Sequence, residues 1–88
     1  MNLRQAHRFA RAHSSGGGNR FAIEGIDRGN PDNVITVIRT PGGWQVGFQE
    51  RGIFKPSGEY PTQEQTAEAF LDKLSQNGRL PPDWRSLL

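Results

Sequence analysis

The chain has 88 residues, the size of one domain, and a formal net charge of +2. It contains no Cys, which excludes disulfide bonds and thiolate zinc sites. No run approaches the roughly 20 apolar residues of a membrane span, and residues 1–13 lack the apolar stretch of a signal peptide. We therefore expect a soluble, cytoplasmic domain without a membrane partner. Because its core is small, a protein partner or a homodimer would supply additional burial.

Positive charge is concentrated near the N-terminus. Arg4, Arg8, Arg11 and Arg20 all precede the first acidic residue, Glu24. Residues 59–72, by contrast, are rich in Glu and Asp. Two interpretations remain open: two solvated helix faces of opposite sign, or surfaces that steer a partner toward the protein.

The N-terminal third is predicted to hold a helix, a linker and a first strand. Apolar residues, mostly Ala, recur at helical spacing over residues 2–13, and Asn2 can cap the first turn. Residues 14–19, Ser-Ser-Gly-Gly-Gly-Asn, have the composition of a flexible linker. A strand is predicted within residues 21–26, and a turn-rich loop follows it.

The centre of the sheet is predicted from two apolar runs. β-branched residues predict a central strand over residues 34–39. Residues 44–49 alternate between apolar and polar, which places Trp44, Val46 and Phe48 on one face, toward the core.

Two turns bound the second of these strands. Thr40–Gly43 has Pro at its second position and Gly at its third, which favours a type II turn. The other turn lies at Arg51-Gly52. Beyond it, residues 53–55 are expected to form an edge strand that ends at Pro56, because proline cannot donate to a ladder.

The C-terminal part is predicted to form a helix and a tail. The helix begins at Thr62, whose hydroxyl can form a capping box with Gln65, and it ends at Asn77-Gly78. Its apolar stripe is expected to pack on the sheet. In the tail, residues 79–88, Trp84 either folds back on the domain or is presented to a partner.

Together these elements predict an α+β fold of order αβββα. It has an N-terminal helix, a three- to four-stranded antiparallel sheet, and a C-terminal helix packed on one sheet face. The single domain would comprise a helix at 1–13, a linker at 14–19, a core at 20–78 and a tail at 79–88.

No catalytic, metal or cofactor site is predicted. His7 and His13 are six residues apart in one predicted helix and point about 120° away from each other, so they cannot share a metal ion by themselves. Glu64 and Glu68 lie on an outer helix face, where carboxylates are usually solvated. Spacing suggests no Ser, His and Asp set, and we expect a protein that is not an enzyme.

The uncovered face of the sheet is the remaining candidate surface. If Trp44 faces the helix, the polar and basic residues of the strands are expected near or on the opposite face. Such a face can contact phosphates and base edges, or it is an ordinary solvated sheet face. The candidate partner-binding residues are Gln49, Arg51, Lys55 and Arg39 around the sheet, with Arg8 and Trp84 in the two flanking ends.

One segment resembles a known family. Residues 43–52, Gly-Trp-Gln-Val-Gly-Phe-Gln-Glu-Arg-Gly, with Gly58–Thr62 and the helix at 64–74, resemble small immunity proteins of bacterial toxin systems. Many of these carry a W-x-V-x-(F/Y)-x-E-R-G strand, a short loop and an apolar helix. The resemblance implies a protein that occludes the active site of one cognate toxin without catalysis. This chain departs in its net positive charge, which disfavours a nuclease with an exposed basic cleft as the target.

Other resemblances keep nucleic acid open as a partner. The three strands followed by a helix that starts within Tyr60–Ala67 are similar to DNA-binding domains of the plant ethylene-response class and of tyrosine-integrase arms. Those domains read the major groove with the sheet, although the strands here carry fewer Arg residues. The αβββα order is also similar to double-stranded RNA-binding domains, but residues 63–65 are Gln-Glu-Gln and not a Lys cluster. The alternative function is a sheet-type domain that binds DNA or double-stranded RNA.

Overall fold

The structure, a computed structural model, describes residues 1–14, 21–27 and 32–88. The predicted linker lies, from residue 15 onward, outside the described residues. The predicted α+β fold is confirmed. The elements in chain order are α1 (Leu3–His13), β1 (Phe21–Ile23), β2 (Val34–Thr40), β3 (Gly43–Glu50), β4 (Ile53–Tyr60), α2 (Gln63–Gln76) and a 3₁₀ helix (Trp84–Leu87).

The described strands form one sheet in the order β1-β2-β3-β4. The strands β2, β3 and β4 form the predicted antiparallel meander. The strand β1 joins it in the parallel sense, with Phe21 opposite Ile35 and Ile23 opposite Val37. The alternation of apolar residues indicates which side chains face the core, but it carries no information about strand direction.

A tight turn redirects the chain after β1. The backbone N–H groups of Ile26 and Asp27 both donate to the Ile23 carbonyl, at 3.0 and 2.9 Å. Gly25 within this turn has φ of 91°, which is the left-handed conformation that glycine adopts without a steric penalty. The Asp27 carboxylate oxygen Oδ2 accepts the Ile23 N–H at 2.9 Å, so this turn also satisfies a donor of β1.

The strand β4 is longer than predicted. It runs from Ile53 to Tyr60 through Pro56, whereas the sequence predicted an end at Lys55. Pro56 is accommodated because β4 is an edge strand among those described and its register with β3 shifts between Val46 and Gly47. A Cβ on Gly47 would collide with the Lys55 carbonyl oxygen, so this glycine lets the two backbones approach.

The predicted type II turn between β2 and β3 is wrong. Thr40 pairs with Gly43, so Pro41 and Gly42 form a two-residue loop. A type II turn requires a positive φ at Gly42, but the positive value, 146°, falls at Gly43. A Cβ on Gly43 would collide with the Tyr60 carbonyl oxygen, so the neighbouring strand, and not the turn, requires this glycine.

Both helices begin with the predicted caps. Asn2 and Gln5 exchange two hydrogen bonds of 2.8 Å at the start of α1, each side chain accepting from the other's backbone N–H. At α2, the Thr62 hydroxyl accepts from the Gln65 N–H at 3.2 Å. The Gln65 side chain meets the Thr62 hydroxyl and not its backbone N–H, so this second box is half formed.

The core lies between the two helices and the sheet face that α2 covers, which we call the inner face. The helix α2 packs across β2, β3 and β4, and α1 packs against α2. Three residues of β3 were predicted to face the core. Val46 is buried in it, while Trp44 and Phe48 are half-buried and pack against its buried side chains. The largest fully buried side chains are Phe70, Ile23, Leu71, Leu74, Val37, Val46 and Thr66.

The predicted tail belongs to this core. Leu80 and Trp84 are only 4% and 3% exposed. The Trp84 Nε1 donates to Asp72 Oδ1 at 3.1 Å, and its ring meets Phe9 edge-on with centroids 6.1 Å apart. Trp84 therefore folds back on the domain, which is the first of the two interpretations that the sequence left open.

Candidate functional site

The sheet face opposite α2, which we call the outer face, is built from small residues at its centre. Strand register places Ala22, Thr36 and Gly47 side by side across β1, β2 and β3. Ala22 and Thr36 are buried. The Thr36 hydroxyl donates to the Val34 carbonyl at 3.2 Å, so its polar atom is satisfied within the sheet. Short side chains in the middle of a sheet leave a depression between longer neighbours.

A cavity of about 630 Å³ occupies this depression. A volume of this size is typical of ligand pockets, which range from about 300 to 1,000 Å³. The floor and walls comprise Ala22, Ile23, Thr36, Ile38, Gln49 and Gly52. The charged residues around it, in the part of the chain that the structure describes, are Glu24, Asp27, Asp32 and Arg51.

Arg51 reaches this cavity from an unusual backbone conformation. Arg51 and Gly52 have φ of 53° and 76°, which is the type I′ geometry of a two-residue hairpin loop. Asn, Asp and Gly are the residues usually found at the first position of such a loop, because the left-handed conformation is sterically unfavourable for other residues. The Asp32 carboxylate accepts the Arg51 backbone N–H and holds the loop. Among the described side chains, none forms an ion pair with the Arg51 guanidinium.

Two of the predicted partner-binding residues do not lie on the outer face. Arg39 stands opposite Trp44 in the sheet, and its guanidinium carbon is 4.7 Å from the indole centroid, on the inner side. Lys55 stands opposite Phe48, and its Nζ is 3.7 Å from Glu50 Oε2. The expectation that Arg39 and Lys55 lie near or on the face opposite Trp44 is therefore wrong, because directly opposed residues of neighbouring strands share a face and both cations oppose core-facing aromatic residues.

The other predicted residues divide between three places. The structure brings Gln49 and Arg51 together at the cavity. Arg8 is exposed on α1. Trp84 is buried in the core, so it is not part of any exposed surface.

Among the described residues, the rim of the cavity carries more negative than positive charge. The three carboxylates of Glu24, Asp27 and Asp32 are there accompanied by one guanidinium, that of Arg51, in a chain whose net charge is +2. Phosphate groups would meet mostly repulsion here, which disfavours the sheet-type nucleic-acid interface. Sequence reasoning did not single out these carboxylates, because they lie in the predicted first strand and the loop after it. A sequence signal for them does exist: the three acids lie just before and just after the connection from β1 to β2, at the ends of two strands that are neighbours in the sheet.

A pair of side chains that the sequence did not connect joins α1 to β1. His7 Nε2 lies 3.1 and 3.0 Å from the two carboxylate oxygens of Asp27, and the His7 ring meets Phe21 edge-on at 5.3 Å. A His and Asp pair can activate a nucleophile. Among the contacts of the described residues, however, none joins the imidazole to a hydroxyl. Its contacts are those of a structural link.

The acidic face of α2 is tied to the tail. Arg85 Nη2 lies 2.8 Å from Glu68 Oε1 and 3.1 Å from Asp72 Oδ2, and its guanidinium carbon is 4.4 Å from the Trp84 ring centroid. Hydrogen bonds to Asp72 and Glu68 raise the pKa of Arg85 above its ordinary value. The sequence had suggested that Glu68 is simply solvated, but in the structure it forms an ion pair with Arg85.

The chain has no detected relatives. No protein-family model, no curated protein and no solved structure matches it. Within the described ranges, no group of three or more His, Cys, Asp or Glu side chains is arranged to hold a metal ion. None of the helices that the structure describes is long and apolar enough to cross a membrane.

Proposed function

We propose that this protein is a non-catalytic binding domain whose protein partner contacts the outer face of the sheet. The observation that carries the proposal is the cavity of about 630 Å³ with a floor of small, buried residues and a rim of both charge signs. Protein interfaces have this organisation, with an apolar centre that excludes water and a polar rim that sets orientation. A partner segment with a cationic group for Glu24 and an acidic group for Arg51 would complement the rim.

We further propose that the partner is a protein toxin that this domain neutralises in the bacterial cytoplasm. The support is the resemblance of residues 43–74 to small immunity proteins. In this reading the mechanism is steric occlusion: the domain covers the toxin's active site, and it needs neither a nucleophile nor a metal ion. The strained Arg51 loop, at the end of the E-R-G part of that resemblance, would lie at the centre of the contact.

The direct test uses the gene that neighbours this one in its source genome. If that gene encodes a secreted protein, its C-terminal region is expressed alone and together with this chain. We expect growth arrest when it is expressed alone, rescue on co-expression, and a stable complex in size-exclusion chromatography. No rescue and no complex would overturn the toxin-neutralising function.

A matched pair of variants tests the docking face. Arg51→Asn and Lys55→Gln each remove one cation, but only Arg51 borders the cavity. We expect Arg51→Asn to weaken the complex at least tenfold and Lys55→Gln to leave it unchanged. Glu24→Lys should weaken it as well, since it reverses a charge on the rim. Equal effects of the Arg51 and Lys55 substitutions would contradict docking at the outer face.

A further inference from the structure

A row of three cations runs along the exposed side of α1. Arg4, Arg8 and Arg11 follow one another at intervals of four and three residues, so they share one side of the helix. All three are exposed, whereas the opposite side of α1 is buried in the core. We call these three residues the arginine stripe.

The stripe runs against the preferences of an isolated helix. Arg4 lies in the first turn, where the helix dipole favours acidic residues, and that turn contains none. Like charges at intervals of three and four residues repel each other across the helix surface. Positions that break local rules without a compensating contact are expected at functional sites.

No carboxylate of the described residues forms an ion pair with the stripe, although Glu24 and Arg4 line one groove. The ion pairs there involve His7, Lys55 and Arg85, and none includes Arg4, Arg8 or Arg11. A groove of about 510 Å³ runs beside the stripe, and its remaining lining residues, His7, Ala12 and Ile26, include no acid. The groove shares no lining residue with the outer-face cavity, and the two adjoin where Asp27 of the cavity rim contacts His7.

We propose that the arginine stripe binds the phosphate backbone of a nucleic-acid duplex. This inference goes beyond the proposed function and does not depend on it. Guanidinium groups bind phosphate oxygens in a bidentate manner. Seven residues of helix span about 10 Å, and phosphates of one duplex strand are spaced about 3.4 Å along the axis, so three arginines can contact three phosphates.

Two other anionic partners fit this surface less well. A lipid bilayer requires an apolar helix side to insert, and the apolar side of α1 is already used: Ala6 and Ala10 are fully buried in the core. A protein partner requires an apolar centre, and the groove beside the stripe offers only Ala12 and the half-buried Ile26. A surface of charge without apolar area suits sequence-independent phosphate contacts.

The test measures binding of the full chain to a fluorescent 20-base-pair duplex, as DNA and as RNA, by anisotropy. Three phosphate contacts predict a slope of about −2.7 in log K against log salt for B-DNA, which is a roughly 40-fold loss of affinity between 50 and 200 mM salt. Binding to one duplex alone would identify which nucleic acid supplies the phosphates. Equal binding would show that only the backbone is recognised.

Two triple variants provide the comparison. Replacing Arg4, Arg8 and Arg11 with Gln should remove binding at 50 mM salt, whereas replacing Lys55, Lys73 and Arg79 with Gln should preserve it. Both variants change the net charge from +2 to −1, because each loses three cations. Gln is a good helix former, so circular dichroism should show α1 intact.

Three outcomes would overturn the inference. The first is no measurable binding of the unmodified chain to either duplex at 50 mM salt. The second is an equal loss of affinity in both triple variants, which would reflect net charge and not the stripe. The third is Arg-dependent binding to vesicles of phosphatidylserine and phosphatidylcholine without binding to either duplex, which would assign the stripe to a membrane surface.

Discussion

His7 on α1 and Asp27 in the turn after β1 meet through a nitrogen that lies within 3.1 Å of both carboxylate oxygens. The same carboxylate accepts the backbone N–H of Ile23. One acidic side chain therefore fixes the turn, completes the hydrogen bonding of β1 and attaches the N-terminal helix. His7 is 9% exposed, so its polar atoms have little access to water and depend on this partner.

Removing the carboxylate should destabilise the fold. We expect Asp27→Ala to lower the free energy of unfolding by about 2 kcal/mol, because it leaves a buried donor without an acceptor. Asp27→Asn should cost less, since its amide oxygen can still accept from Ile23. Urea unfolding followed by circular dichroism measures both. His7→Ala should cost less in the Asp27→Ala background than alone, and strict additivity of the two would contradict the link.

Trp84 should matter for stability and not for partner binding. We expect Trp84→Ala to lower the free energy of unfolding by about 3–5 kcal/mol, as is typical when a buried Trp is truncated. Trp84→Phe should cost about 1 kcal/mol, mainly for the hydrogen bond to Asp72. Urea unfolding measures both, and Trp44 fluorescence remains as a probe. If Trp84→Phe keeps its stability but loses a protein partner, the residue has a binding role that its burial conceals.

Arg51→Asn should stabilise the protein. Asn adopts the left-handed conformation at lower cost than Arg, so we expect a gain of about 1 kcal/mol in the free energy of unfolding. The backbone N–H that donates to Asp32 is unchanged by the substitution. Arg51→Lys keeps both the charge and the strain, and it should unfold at the same urea concentration as the unmodified chain. A loss of stability in Arg51→Asn would show that the guanidinium makes a stabilising contact.

Gly47→Ala should destabilise the sheet, whereas Gly42→Ala should not. A Cβ on Gly47 would collide with backbone atoms of Lys55 and Pro56, while one on Gly42 would meet nothing within 4 Å. Overpacking of this kind costs about 1–3 kcal/mol. Neither glycine has a positive φ, so steric contact is the difference between them. Thermal unfolding of the two variants, side by side, measures the effect, and equal midpoints would contradict the close approach of β3 and β4.

The sequence predicted well where a local rule decides the structure. The alternation around Val46, the cap at Thr62 and the glycine at Gly78 depend on neighbours within a few residues, and the elements they predict are present. The sequence predicted poorly where pairing with a neighbouring strand determines the structure. The face of Arg39 follows from its register with Trp44, and the length of β4 follows from a bulge next to Pro56 in the same strand. Neither relationship has a local signature.

The candidate site depends even more on long-range contacts. Gln49 and Arg51 could be predicted because Gln49 ends the alternating run of β3 and Arg51 begins the turn after it. Glu24 and Asp32 were missed because the parallel return from β1 to β2, which brings them to the same cavity, has no periodic pattern. The burial of Trp84 was left open for a related reason: its partner Phe9 lies at the other end of the described chain.

The contact of Phe9 with Trp84 also constrains the order in which the helices and the sheet can pack while the chain is being made. The meander and α2 are joined by short loops, and contacts between residues close in sequence form first because closing a short loop costs little entropy. The helix α1 is translated before them, yet its neighbours in the core arrive later: Leu3 N–H donates to the Gln63 side chain at 3.1 Å, and Phe9 meets the tail. During synthesis α1 therefore cannot complete its packing until α2 and the residues around Trp84 have been made. We therefore expect the complete docking of α1 to be a late step of folding, although α1 precedes the other described elements in the chain.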